Sequence, residues 1–265
     1  MTSYLVAQIS DFHIVEKGAT LSGGIDTAEY LRAAVAHVNG LTPAPDLVLA
    51  TGDLVNDGGS DQYEHLAELL APLRPPVFLL PGNHDDRDVM RGTLAGHAEL
   101  GTTGYVDYAI DGPVRVVAID TARPGEPGGR IDADQLTGLD VTLAAEPGTP
   151  TIVAMHHPPF LTGITHMDTM GLDPADAGAL GEVIARHPQV ERVQSGHLHR
   201  SITRRWHGTI AAAVPGVAHA VHLDLAGGPP AWNREPPACT LHWWTPDTGL
   251  VTHVQTIGSY EATPY

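Results

Sequence analysis

Five short apolar segments of this chain, each typical of a buried strand, end in clusters of polar side chains and turn residues. In α/β proteins the carboxyl ends of parallel strands lie side by side, and ligands bind at that edge of the sheet. We therefore expect the five clusters to converge on one cleft. In chain order they are Asp11-Phe12-His13, Thr51-Gly52-Asp53, Gly82-Asn83-His84-Asp85, His156-His157-Pro158 and Gly196-His197-Leu198-His199.

Amphipathic helices alternate with the predicted strands up to residue 199. Thr27 and Ser60 are expected to cap the first two helices. The predicted helices are Ala28–Asn39, Ser60–Leu70, Asp86–Leu100, Asp132–Ala145 and Asp173–Arg186. The predicted strands are Tyr4–Ser10, Asp46–Ala50, Pro76–Leu80, Tyr105–Ile110, Val114–Ile119, Thr151–Met155 and Val190–Gln194. This order predicts an α/β domain with a largely parallel core sheet.

The chain changes character after His199, because the helical period disappears. Ala226–Pro237 is dense in Pro and Gly and is expected to form a loop or cap. We expect residues 1–200 to form the core, and residues 201–265 to add its remaining strands and a cap. The short strands predicted here are Ser201–Trp206, Thr209–Val214, Thr240–Thr245 and Leu250–Thr256.

The charge balance argues against a nucleic-acid partner. The sequence holds 31 acidic and 14 basic residues, a formal net charge of −17, whereas binding to phosphate backbones depends on clustered Lys and Arg. A single cysteine, Cys239, excludes an internal disulfide framework. Met1-Thr2-Ser3 leads directly into the apolar Tyr4–Ile9 without a charged signal region, and no apolar stretch is long enough to span a bilayer. We therefore expect a cytoplasmic protein without membrane contact.

The polar clusters supply oxygen and nitrogen donors but no thiolate. Such a set suits Mn, Fe, Zn or Co. Seven donors exceed what one tetrahedral ion uses, so two ions are predicted, with Asp53 as the natural bridge between them. Asp11-x-His13 and His197-x-His199 would each present both donors on one side of an extended segment. The seven donors are Asp11, His13, Asp53, Asn83, His156, His197 and His199.

Each cluster taken alone has a simpler interpretation. An isolated Asp-x-His or Gly-Asp is more often a turn than a ligand, and Gly-His-x-His could be a surface turn. Five clusters in order, each after its own strand, favour the metal interpretation.

The ordered motifs DxH, GD, GNHD, HH and GHxH resemble the calcineurin-like metallophosphoesterase superfamily. Within it, the chain is similar to the class III cyclic nucleotide phosphodiesterases and the bacterial glycerophosphodiesterases. Less specific similarity to the second group lies in Gly24-Ile25-Asp26, Met155–Pro159, Met167-Asp168 and Pro215–His219. The resemblance implies a two-sheet αββα sandwich with a small C-terminal cap that also mediates dimerisation, hence a homodimer or larger homo-oligomer.

The resemblance also implies which residues bind metal and substrate. One ion would be held by Asp11, His13, Asp53 and His199, and the other by Asp53, Asn83, His156 and His197. Asn83 and His84 would also contact substrate. His219 resembles a substrate-contacting histidine, whereas His157 is either a substrate contact or a packing residue behind the ligands.

The expected reaction is hydrolysis of a phosphodiester. Two ions about 3.5–4 Å apart can bind a phosphate oxygen and generate a metal-bound hydroxide that attacks phosphorus in line. His84 follows Asn83 on a bent backbone and is the candidate general acid for the leaving alkoxide. Asp85 would either orient His84 or, like Asp86, cap the next helix.

The sequence therefore predicts a two-metal phosphodiesterase acting on a small cyclic nucleotide or glycerophosphodiester. A broad-specificity phosphomonoesterase and a metal-loaded scaffold without turnover are the alternatives, and a nuclease fits the charge balance least. The metal identity and the leaving alcohol stay open, because selectivity lies in loops such as Glu16–Gly24 and Ala226–Pro237.

Overall fold

The computed structural model describes residues 3–264, which form a sandwich of two β-sheets with helices on both outer faces. The helices are α1 (Thr27–Asn39), α2 (Ser60–Leu70), α3 (Arg87–Thr93), α4 (Ala133–Ala145), α5 (Thr165–Asp168) and α6 (Pro174–Ile184). The strands are β1 (Tyr4–Ile9), β2 (Leu47–Thr51), β3 (Val77–Leu80), β4 (Tyr108–Ile110), β5 (Arg115–Ala118), β6 (Thr151–Ala154), β7 (Val190–Ser195), β8 (Ile202–Trp206), β9 (Thr209–Ala213), β10 (Ala220–Val221), β11 (Trp232–Asn233), β12 (Ala238–Thr245) and β13 (Gly249–Thr256).

The first sheet has the strand order β13-β12-β1-β2-β3, with β1, β2 and β3 parallel. Helices α1 and α2 cover its outer face through apolar residues at helical spacing. On α2 this stripe is Tyr63, Leu66, Leu69 and Leu70, as the sequence predicts. The sheet is therefore buried on the face that α1 and α2 cover.

The second sheet has the order β4-β5-β6-β7-β9-β8, in which β5, β6 and β7 are parallel. Helices α4 and α6 pack on its outer face, where Leu139 and Leu180 are buried. Asp132 and Gln135 form a capping box that begins α4, and Asp173 caps α6 just before Pro174. The expected α/β class is confirmed, with the parallel strands divided between two sheets.

The inner faces of the two sheets meet in an apolar layer. Val6 and Leu49 of the first sheet belong to one buried cluster with Val116 and Ala154 of the second. Beside this layer runs a buried polar chain in which His242 bonds Gln8 and Gln8 bonds Thr51, at 3.1 and 3.0 Å.

Several predicted element boundaries are wrong. Asp26 caps α1 through its side chain, whereas Thr27 is the first helical residue. Gly59 precedes α2 without any side-chain cap, so Ser60 does not cap that helix. The predicted helix Asp86–Leu100 is α3 followed by a separate 3-10 turn at Ala98–Leu100. Gly92 and Gly96 weaken the helix between them, which accounts for the interruption.

The chain beyond residue 201 contributes to both sheets. Strands β8 and β9 extend the second sheet, and β12 pairs antiparallel with β1 in the first. Strands β10 and β11 form a separate two-stranded ribbon. Among residues 3–264, no helix has the length and apolar character needed to cross a bilayer.

Candidate dinuclear metal centre

The seven predicted donors lie together where strands of both sheets end. Asp11 and His13 follow β1, while Asp53 and Asn83 follow β2 and β3. From the second sheet, His156 follows β6, and His197 and His199 follow β7. The cleft therefore lies at the carboxyl ends of parallel strands.

The pairs Asp11-x-His13 and His197-x-His199 do not lie on extended segments, so that expectation is wrong. Asp11, His13 and Asp53 have φ angles of 59°, 46° and 50°, and His197 and His199 have 69° and 49°. These are left-handed conformations, which non-glycine residues adopt only where the surrounding structure holds them. The amides of Asp11 and His13 donate to the carbonyls of Gly52 and Asp53, at 3.0 and 2.9 Å, which fixes one turn against the other.

The first group of donors is Asp11, His13, Asp53 and His199, whose ligand atoms all lie within 4.8 Å of one another. His13 Nε2 lies 3.2 Å from His199 Nε2 and 3.5 Å from Asp53 Oδ2. His199 donates its Nδ1 proton to the carbonyl of His219 at 3.0 Å, so its Nε2 carries a lone pair. Lone pairs that face each other in a buried site are the arrangement that a cation requires.

The second group repeats this pattern. His156 donates from Nδ1 to the carbonyl of Thr51 at 2.8 Å, so Nε2 is the ring nitrogen that a cation can bind in place of a proton. That Nε2 lies 3.3 Å from Asp53 Oδ1 and 3.2 Å from Asn83 Oδ1. His197 Nε2 and Asp11 Oδ2 are buried without a hydrogen-bond partner among residues 3–264. The donor set therefore fits bound divalent cations.

Asp53 lies between the two groups and faces both. Its Oδ2 atom faces His13, and its Oδ1 atom faces His156. The amide of His84 donates to Oδ1 at 3.0 Å and fixes the carboxylate plane. One carboxylate thus presents one oxygen to each group.

Burial sets the ionisation of the histidines. It lowers the pKa of His197 to about 3 and that of His199 to about 4, and it lowers the pKa of His13 well below the usual value. These imidazoles stay neutral and keep the lone pairs that metals bind. Burial also opposes charge on His156, but the charges of Asp53 and Asp11 outweigh it and raise the pKa of His156 to about 9.

Only glycine fits at two positions, because the backbone there passes very close to the ligand side chains. A Cβ on Gly52, whose φ is 95°, would overlap the His156 ring, and one on Gly82 would overlap Asp53. The glycines of the GD and GNHD motifs therefore make room for the ligands.

The turn that carries Asn83 is held by Asp85. The Asp85 carboxylate accepts from the amides of Gly82, Leu54 and Val55 at 2.8–3.2 Å and from the Tyr63 hydroxyl at 3.0 Å. It therefore joins the β2 and β3 turns and does not orient the His84 ring. Asp86 is the residue that caps α3.

His84 is exposed at the cleft and donates from Nδ1 to the carbonyl of Asn56 at 2.7 Å. Its ring stands edge-on to His13 with 4.7 Å between centroids. The Nδ1 bond leaves Nε2 as the free ring nitrogen of His84. His84 is thus adjacent to the first group without belonging to it.

His157 is fully buried, and both of its ring nitrogens are engaged. Nε2 donates to the carbonyl of Pro127 at 3.2 Å, and Nδ1 accepts from the Thr121 hydroxyl at 2.8 Å. It lies near His156 and His197, but no lone pair is left for a cation. These contacts favour the packing role over substrate contact.

His219 lies beside the first group, with its ring centroid 4.4 Å from that of His199. Its Nδ1 atom is buried without a partner, and the ring lines the open cleft. The next side chain outward is Trp232, which sequence reasoning placed only within a loop. The motif pattern gives no signal for this tryptophan.

Comparisons with known proteins agree with this geometry. Residues 4–201 match the family described as calcineurin-like phosphoesterase. A probable glycerophosphodiester phosphodiesterase, GpdQ, of Arcobacter nitrofigilis is 32% identical over 98% of this chain and 96% of its own length. A probable cyclic nucleotide phosphodiesterase of Rhodopseudomonas palustris is 37% identical over 86% of this chain and 84% of its own.

The fold has solved counterparts. A dimetal phosphatase from Danio rerio superposes with a TM-score of 0.67 at 16% identity, covering 96% of this chain and 99% of that structure. This likeness supports the two-sheet architecture. From the family match and the similarity over nearly its whole length, the chain belongs to the calcineurin-like phosphoesterase family.

Proposed function

We propose that this chain is a metal-dependent phosphodiesterase that hydrolyses a small organic phosphodiester. One observation carries the proposal: two groups of buried lone pairs face each other, and Asp53 presents one oxygen to each. Relatives named as glycerophosphodiester and cyclic nucleotide phosphodiesterases support a diester as substrate.

The proposed ligands follow the two groups. Asp11, His13, Asp53 and His199 hold one ion, and the other is held by Asp53, Asn83, His156 and His197. Fe, Mn and Zn are the proposed metals, with Co as a further candidate, since imidazole, carboxylate and amide donors suit them all.

Two ions held there would neutralise charge on the phosphate and supply a nucleophile from water at neutral pH. The protein's own groups do the rest. Asn83 lies between the second group and the cleft. Its amide oxygen faces His156, which leaves its NH₂ group to donate to a phosphate oxygen. When its ring carries both protons, His84 would transfer the Nε2 proton to the leaving alkoxide, while its Nδ1–H stays bonded to the carbonyl of Asn56.

His219 and His157 have different proposed roles. The His219 ring lines the cleft and would contact the substrate. His157 holds the loop at Pro127 in place through its Nε2 bond. That loop borders the cleft, so His157 would shape the site from behind.

The activity can be tested on protein loaded with Mn²⁺. We expect hydrolysis of bis(p-nitrophenyl) phosphate to exceed that of p-nitrophenyl phosphate in kcat/KM. Faster cleavage of the monoester would support a phosphomonoesterase instead. Absence of turnover on either ester, in protein shown to contain metal, would support a scaffold.

The proposal extends to assembly and location. A homodimer or larger assembly through residues 201–265 is part of the proposal, with the exposed Leu223, Leu225 and Val254 as candidate contact residues. Multi-angle light scattering would measure the mass in solution. A cytoplasmic location is also proposed, and the buried free thiol of Cys239 is compatible with a reducing compartment.

A further inference from the structure

We infer that the indole of Trp232 is the specificity-determining wall of the cleft, selecting phosphodiesters with an aromatic substituent such as a nucleobase. Diesters that carry only a small hydroxylated group, such as glycerol, would be disfavoured. This inference rests on the proposed function and names which class of substrate the same site takes.

The cleft beside the metal centre has a volume of about 360 Å³. Its polar lining comes mainly from residues of the metal centre and their neighbours, among them His13, Asp53 and Asn83. Ser22 is the polar exception among the cleft-lining residues of the loop 21–25. The apolar part of the lining comprises Leu21, Ile25, Pro127, Met167, Met170, Val221 and Trp232.

The position of the indole sets how far a substrate has to reach. The ring centroids of His219 and His199 are 4.4 Å apart, and those of His219 and Trp232 are 6.0 Å apart with the ring planes at 77°. An ester group bound at the metals therefore meets Trp232 only if it extends past His219. A sugar bearing a base has that reach, whereas a short alcohol ends beside His219.

Trp232 is held in place although it is 43% exposed. Its strand pairs with Val221, and its ring packs so closely on Gly23 that an added Cβ would lie 2.6 Å from Cζ2. Arg234 donates to the Gly23 carbonyl at 2.8 Å. Two segments distant in sequence thus fix the indole before a ligand arrives, which lowers the entropic cost of binding.

The lining chemistry favours an aromatic group. A base can stack on the indole and lie against the methionine thioethers, which contact aromatic rings favourably. A glycerol group is too short to reach these side chains, so it gains no such contact. Loss of one stacking contact corresponds to about tenfold or more in affinity.

Trp232→Ala tests the wall. We expect kcat/KM for 3′,5′-cyclic AMP, divided by that for glycerophosphoethanolamine, to fall by about tenfold or more, mainly through KM. Trp232→Phe should retain most of the ratio because a ring remains. An unchanged ratio, whether both values fall equally or neither falls, would overturn the inference.

Gly23→Ala provides an independent test with a matched control. The new methyl group should displace the indole and lower the same ratio. Gly24 has nearly the same φ, 74° against 78°, but no atom lies within 4 Å of an added Cβ. Gly24→Ala should therefore carry similar backbone strain without the specificity change, and a similar loss in both variants would contradict the inference.

Binding measurements separate this inference from the proposed activity. Calorimetric titration with adenosine 5′-monophosphate and with glycerol 3-phosphate needs no turnover. Trp232→Ala should weaken the nucleotide about tenfold and leave glycerol 3-phosphate unchanged. Equal effects on both ligands would reject the aromatic wall, whereas failure of the proposed function would appear as metal-loaded wild type that hydrolyses no diester.

Discussion

Single residues of the metal centre adopt backbone conformations that are unfavourable on their own. Asp11, His13, Asp53, His197 and His199 all have positive φ. Each such residue costs of the order of 1–3 kcal/mol unless its surroundings compensate. Here the compensation comes from hydrogen bonds between turns, such as that from the amide of His197 to Asp11 Oδ1 at 2.9 Å. These hydrogen-bonded turns place the lone pairs before any ion binds.

His84→Ala should lower kcat for a poor, unactivated leaving alcohol by about 10²–10⁴-fold, because the proton donor is removed. The metal content should stay at the wild-type value, since His84 belongs to neither donor group. Kinetics with glycerophosphoethanolamine and elemental analysis of the same preparation measure both. The exposed His253 on β13 supplies the control, His253→Ala, and loss of metal from His84→Ala would reassign the residue as a ligand.

Asn83→Ala should release one of the two ions, because only the amide oxygen of Asn83 reaches the second group from β3. We expect metal content to fall by about half under mild dialysis. Asn56→Ala is the matched control for metal content, since the Asn56 side chain bonds Asp57 and belongs to neither donor group. Unchanged occupancy in Asn83→Ala would show that the ligand assignment is wrong.

The elements of the fold are coupled to the site through the turns at their ends. Asp85 accepts four hydrogen bonds, from the β2 turn, the β3 turn and α2. Asp85→Asn replaces one accepting oxygen by an NH₂ group that faces donors. We expect a loss of about 1–3 kcal/mol in the free energy of unfolding, measured with urea, together with weaker metal occupancy.

A neighbouring substitution controls for this change. Asp86→Asn alters the same functional group one residue later, and Asn caps helices about as well as Asp. It should leave stability within a few tenths of a kcal/mol. If both variants lost the same stability, the role of Asp85 in joining the turns would be rejected.

His242 on β12 gives the sandwich an acid-sensitive interior. It is fully buried, donating from Nε2 to Gln8 and accepting at Nδ1 from Thr252. Burial, with a smaller contribution from the charge of Arg192, lowers its pKa to about 3. The folded state therefore favours the neutral ring. Below the unfolded pKa of about 6.5 the unfolded chain binds the extra proton, so stability falls as pH drops toward 3.

His242→Gln can keep one donor and one acceptor without titrating. In chelated protein, wild type should lose about 2 kcal/mol more than the variant between pH 7.5 and pH 5, since each pH unit below 6.5 contributes about 1.4 kcal/mol. Urea unfolding at the two pH values measures this difference. Parallel losses in both proteins would place the titration elsewhere.

At the level of elements, the sequence pattern predicted the features that depend only on neighbouring residues. The donor residues follow apolar strands, so they could be assigned from sequence. Their left-handed backbone could not, because it depends on bonds between distant turns such as Asp11 to Gly52. The position of Trp232 at the cleft could not be predicted for the same reason. Its two-residue strand exists only by pairing with Val221, which nothing in the surrounding loop sequence signals.

The whole molecule is organised so that its two sheets meet at the metal centre. Asp11, His13, Asp53 and Asn83 come from the first sheet, and His156, His197 and His199 come from the second. The segment beyond residue 201 is part of this frame, because β12 lies next to β1 in the first sheet. Bound ions would thus join the sheets at one edge of their apolar interface.

Removing metal should consequently destabilise the entire fold. Stabilisation by a ligand that binds only the native state is about 2.7 kcal/mol at a free concentration of 100 times Kd. We expect chelation to lower Tm, and added Mn²⁺ to restore it. His197→Ala removes a ligand from the second sheet only, so it should reduce the metal-dependent rise in Tm while the chelated protein keeps its fold by circular dichroism. If chelation leaves Tm unchanged in protein shown to have held two ions, the sheets do not depend on metal for their association.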